Sequence, residues 1–161
     1  MLRIIKILLI LSVAAWGIIG AFGNLSDWGG TMGGVSEVTS MGSFEGGADH
    51  WRATSNPVVI MAGALFILLA KMIAGILCLE GARRMWSARK EDATEFAKAK
   101  TFALTGCAVA VFMLFLGFSV IAEVWYELWQ SDTMHDPVLA SAYRYGGQIA
   151  LIAIFVSMRD E

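Results

Sequence analysis

The sequence predicts an all-α membrane protein: four transmembrane helices in an up-and-down bundle, with a long external loop between the first two. Three observations lead there. The chain is 57% hydrophobic and only 16% charged, too apolar for an ordinary soluble domain of 161 residues. Four apolar runs, at about 4–23, 57–80, 101–129 and 138–158, each reach the length of about 20 residues needed to cross a hydrocarbon core of about 30 Å. Nine of the twelve lysines and arginines fall at the N-terminus, between 83 and 100, or near the C-terminus, on alternate connections of such a chain. Residues 1–161 therefore read as a single integral membrane domain.

The first span opens with Arg3 and Lys6 and continues without charge to Gly23. A signal peptide has the same beginning, but the run is long for a signal core and reads as a retained span. Gly17, Gly20 and Gly23 recur every third residue and would open a flat strip for close approach of another helix. The segment 24–56 is polar and glycine-rich, carries Asp27, Glu37, Glu45 and Asp49, and is expected to form the external loop. Trp28 and Trp51 would lay parts of it on the membrane surface, with Thr31–Met41 as a short interfacial helix. Its Gly29/Gly33 spacing lies outside any apolar run and carries no helix-pairing meaning, and without a Lys-Ser/Thr ending the stretch is no phosphate loop.

Asn56-Pro57 reads as a capped start for the second span, with proline at the first helical position. That span is broken by Lys71 and leaves the membrane through Glu80, Arg83, Arg84, Trp86, Arg89 and Lys90. The third span exceeds the hydrocarbon thickness and should tilt or project. Its end carries Glu123, Trp125, Tyr126, Glu127 and Trp129, a membrane-exit pattern in which polar-edged rings sit at headgroup level and carboxylates begin where water does. The fourth span is interrupted by Arg144 and Gln148. The charge distribution puts both termini and the basic 83–100 connection in the cytoplasm and 24–56 outside.

Several segments resemble a known family. They are Trp51-Arg52-Ala53 ahead of the second span, Phe102-Ala103-Leu104-Thr105-Gly106 opening the third, and Trp125-Tyr126-Glu127-Leu128-Trp129-Gln130-Ser131 closing it. With four apolar spans in this order the chain is similar to the bacterial predicted small integral membrane proteins grouped as domain of unknown function 2165. The resemblance implies a multi-pass protein of the bacterial inner membrane and brings no established activity. The chain departs from the family pattern in having Val124 before the first aromatic of the closing motif, and Lys71 where the second span often carries an acid.

Two cations inside spans demand an explanation. Placing Lys71 in hydrocarbon costs about 2.5–3.5 kcal/mol. It lies about 21 Å along its helix and level with about Ala14, Val111 and Leu151, none of them acidic. Its ammonium is expected either to reach the cytoplasmic headgroups or to meet a carboxylate, lipid or ligand from another chain. Arg144 lies at the same depth as Glu123, one helical turn from Glu127, and an ion pair with one of these acids is expected. His50 and His135 are both in outer loops, so neither can ligate a haem within the bilayer. Cys78 and Cys107 lie inside apolar runs without a metal or redox spacing and read as small buried hydrophobes.

No catalytic or metal motif occurs, and the formal charge of -2 with no basic block interleaved by aromatics argues against a nucleic-acid partner. The expected partners are the lipid bilayer and other membrane subunits. No intrinsic cofactor is expected; bound lipid is, and contact with a pigment or quinone stays open. The leading functional expectation is a non-catalytic accessory subunit of a larger inner-membrane complex, respiratory or photosynthetic. The alternative is a small homo-oligomeric transporter or channel component in which Lys71, Gln148, Arg144 and Glu123 line a wet path.

Overall fold

The computed structural model describes residues 1–160. It is helical, with no strand among the described residues, and four stretches are long and apolar enough to cross a membrane: Leu2–Ser26, Pro57–Ser87, Ala93–Trp125 and His135–Ser157. The helices are α1 (Leu2–Ser26), α2 (Trp28–Ser40), α3 (Pro57–Ser87), α4 (Ala93–Ala99), α5 (Thr101–Met113) and α6 (His135–Ser157). Between α5 and the turn at Tyr126 the chain runs on as a π-helix, Leu114–Trp125.

Small side chains decide how the spans meet. In lipid there is little hydrophobic drive between helices, so association depends on close van der Waals approach, which small residues permit. Ala70, Ala74, Cys78 and Ala82, one turn apart along α3, are all buried, as are Ala103, Gly106, Cys107 and Ala110 on α5. A β-carbon on Gly106 would stand 2.6 Å from Cys78 Sγ and 2.9 Å from the Ala74 carbonyl oxygen, so α3 and α5 pack almost backbone to backbone. Both cysteines are fully buried free thiols in this seam. The α1–α3 seam is as close. A β-carbon on Gly17 would lie 2.7 Å from the Lys71 carbonyl oxygen and 2.8 Å from Gly75 Cα. The glycine strip of the first span thus faces α3 at Gly17 and Gly20, while Gly23 faces open space.

One end of the molecule gathers the N-terminus, the 88–100 connection and the C-terminal residues. Arg3 donates to the carbonyls of Arg89 and Glu91 at 3.2 and 2.6 Å. Lys6 and Lys100 both donate to the Met158 carbonyl, at 2.7 and 2.8 Å. Asp160 sits between the two ammoniums, 2.9 Å from Lys6 and in an ion pair with Lys100. All three side chains are almost wholly buried.

Two expectations change. Much of 24–56 is helix rather than loop: α2 starts with Asp27 Oδ1 accepting from Gly30 N at 2.9 Å and stops where Met41 turns left-handed. Four glycines in thirteen residues lower its intrinsic stability, so packing must supply the difference. Val35 does so by pressing on Gly63 of α3, and Val38 by joining a small core with Ala122, Leu128 and Leu139. The helix is longer than the expected Thr31–Met41 and lies against α3. The third span also ends early, at Trp125, because Glu127 adopts φ +53° and reverses the chain into a 3-10 turn, Leu128–Gln130. Trp129 therefore lies in that turn, off the helix.

Candidate functional site

Lys71 is where the fold spends its most costly side chain, and its surroundings form the best-defined site. The Cα–Cβ bonds of a helix tilt toward its N-terminus, so a long side chain on α3 runs back toward Pro57, away from the end that holds the termini. Lys71 follows this rule. Its side chain passes Gly20, where a β-carbon would stand 3.3 Å from Lys71 Cδ, and its Nζ donates to Asn24 Oδ1 at 2.7 Å. Of the two expected courses, the one toward the end that holds the termini is not taken: the glycine strip of α1 leads the side chain the other way. Asn24 is itself fixed, donating through Nδ2 to Thr31 Oγ1 at 2.9 Å, while the Thr31 hydroxyl returns a bond to the Asn24 carbonyl at 3.1 Å.

Above the ammonium lies a cavity of about 480 Å³, within the range of about 300–1,000 Å³ common for small-molecule sites. Three walls line it. Helix α2 contributes Gly34, Val35 and Val38; α3 contributes Val59, Gly63 and Phe66; the π-helix contributes Gly117, Phe118, Ile121 and Ala122, with Tyr126 beyond its end. The walls are mostly apolar; Lys71, Asn24 and Thr31 form a polar group at one end, and Thr39 and Tyr126 also line the cavity. π-Helical turns are rare and recur at functional sites. Here the wider turn brings 117/118, 121/122 and 126 onto the same face of the cavity.

The rim farthest from the termini carries a second cluster, which joins two of the sequence motifs. Arg52 forms an ion pair with Glu127, and its guanidinium lies 5.8 Å from the Trp51 ring centroid and 5.5 Å from that of Trp125. The two indoles meet edge to face at 5.7 Å. Gln130 donates to the other Glu127 oxygen at 2.7 Å, and the His50 Nδ1 accepts from Arg52 Nε at 3.4 Å. These bonds hold Glu127 in its left-handed conformation, which a residue other than glycine adopts at a cost of about 1–2 kcal/mol. Trp51, Trp125 and Trp129 keep much of their surface exposed, Trp28 is half-buried and Tyr126 is buried. Trp86 marks the opposite end, with Arg89 stacked 4.2 Å above its ring.

The structure does not bring Arg144 to either acid. Glu127 turns to Arg52, and Glu123 accepts from the Tyr143 hydroxyl. Arg144 sits on the outward face of α6 with its guanidinium 5.1 Å from the neighbouring Tyr145 ring, and it forms no ion pair among the described residues. The physical reason is the early end of the third helix: the reversal at Glu127 takes that carboxylate off the face it shared with Glu123. Gln148, one turn from Arg144, is exposed on the same face. Among the described residues no three metal-ligating side chains converge.

Sequence reasoning missed Asn24, Arg52 and Tyr143 as partners. Arg52 was the one to find, being the single cation in the two acidic outer connections. No curated protein and no solved structure matches the chain. A family model does match, over residues 2–159, nearly the whole chain and all four candidate spans. The chain belongs to the predicted small integral membrane proteins grouped as domain of unknown function 2165.

Proposed function

We propose that this protein is a non-catalytic accessory subunit of a larger assembly in a bacterial inner membrane. The observation that carries the reading is the outward face of α6, where Arg144 and Gln148 stand exposed one turn apart within a candidate span, the arginine without an ionic partner among the described residues. Polar groups facing hydrocarbon are costly, and a neighbouring chain that supplies an acid or carbonyl removes the cost. After purification in mild detergent, the chain should travel with other membrane proteins at fixed stoichiometry, and Arg144→Leu should release them. A chain that runs alone, or only with copies of itself, would sink the subunit reading; closed homo-oligomers would favour the transporter alternative.

Both termini are assigned to the cytoplasm. The assignment rests on the lysines and arginines of the N-terminus, the 83–100 connection and the C-terminal residues, which the fold collects at one end, against a single Arg52 at the other. A periplasm-active reporter should be silent when fused after Glu161 and active when inserted near Gly46, in the turns between α2 and α3. The reverse pattern would overturn the orientation.

A further inference from the structure

We infer that the cavity between α2, α3 and the π-helix binds a lipophilic monocarboxylate, its carboxylate on Lys71 Nζ and its apolar body along Val35, Phe66, Phe118 and Ile121. The polar end selects the head. An ammonium has three donors, and Lys71 gives one to Asn24 Oδ1, leaving two N–H groups at an apolar cavity. No carboxylate among the described residues forms an ion pair with it. A neutral carbonyl or alcohol would accept a hydrogen bond but leave the charge uncompensated in a low dielectric, whereas one carboxylate supplies two acceptor oxygens and cancels it.

The surroundings argue against a phospholipid headgroup. A phosphodiester carries polar substituents on both sides, and its glycerol esters would need further donors. Asn24 and Thr31, the polar neighbours of Lys71, are already bonded to each other. A terminal carboxylate asks for nothing beyond the ammonium. The walls select the body: from Val59 to Lys71 the lining of α3 extends about 18 Å at 1.5 Å per residue, nearly all of it aliphatic or aromatic. The site is separate from the α6 face, so it stands or falls independently of the subunit reading.

The test uses the full chain in phosphatidylcholine nanodiscs, with hexadecanoate and hexadecan-1-ol as probes and retention measured by isotope label. Hexadecanoate should bind the wild-type chain about tenfold or more tightly than the alcohol, and Lys71→Met should remove that preference by weakening the acid far more than the alcohol. Gly34→Leu provides the second arm. A β-carbon there meets nothing within 4 Å and the residue lines the cavity, so the leucine fills it without moving backbone and should abolish binding of both probes. Equal affinity for acid and alcohol, or an acid affinity indifferent to Lys71→Met, would overturn the carboxylate assignment. Binding that survives Gly34→Leu would overturn the location.

Discussion

Gly17→Ala should destabilise the chain by about 3 kcal/mol, the upper part of the range for overpacking, with larger residues preventing the α1–α3 seam from closing. The size follows from what the added methyl meets. Its neighbours at 2.7–2.8 Å are the Lys71 carbonyl oxygen and the backbone of Gly75, which cannot swing aside as a side-chain tip can. Gly75 is the reciprocal half, with Ile18 N and Cγ1 at 2.9 Å from its own would-be β-carbon. Forcing α1 away would also lift Asn24 from Lys71. Gly23→Ala is the control: it meets nothing within 4 Å, and by helix propensity alone it should be neutral or stabilising by up to about 1 kcal/mol. Reversible unfolding in mixed micelles compares them, and equal behaviour of the two variants would contradict the seam.

The second large effect belongs to the end that gathers the termini. Asp160→Asn should cost about 3 kcal/mol, because it leaves the Lys6 and Lys100 ammoniums, 1% and 3% exposed at the side chain, facing each other without a counter-charge among the described residues. A figure at the low end is apt, since the cluster lies at a helix end and water can relax into it. Adding Lys6→Met should return part of the loss by removing one stranded charge, a coupling that a double-mutant cycle reads directly. Burial alone would raise the Asp160 carboxyl, but hydrogen bonds and charge from Lys100 and Lys6 outweigh it and hold the group below the ordinary aspartate range. A depressed folded value means the contribution is fully present above the unfolded pKa and fades as pH falls through the folded one. The clamp should therefore persist at neutral and mildly acidic pH and loosen only in strong acid.

Much of this architecture was legible in the residues because lipid allows few solutions. Long uncharged runs fix where helices cross, and the Asn56-Pro57 start appears as expected, with Asn56 Oδ1 accepting from Val58 N at 2.9 Å. The third span ended earlier than its apolar run suggested because a backbone reversal at Glu127 depends on a distant partner, Arg52, that no local pattern reveals. Helix α2 was harder still: Gly29 and Gly30 read as loop ahead of the expected Thr31–Met41 helix, and contacts with Gly63 and Leu139 turn the balance. Lys71 was visible as a costly residue within its span. What depth could not give was direction. The tilt of helical side chains toward the N-terminus, combined with the small Gly17 and Gly20 on the facing helix, supplies it.

The α6 face offers the most direct measurement. A photoreactive amino acid in place of Gln148, activated in intact membranes, should join the chain to a different membrane protein at one discrete mass, and Arg144→Leu should abolish the adduct. Adducts to lipid alone, unchanged by Arg144→Leu, would show that this face meets only the bilayer and would contradict the subunit account.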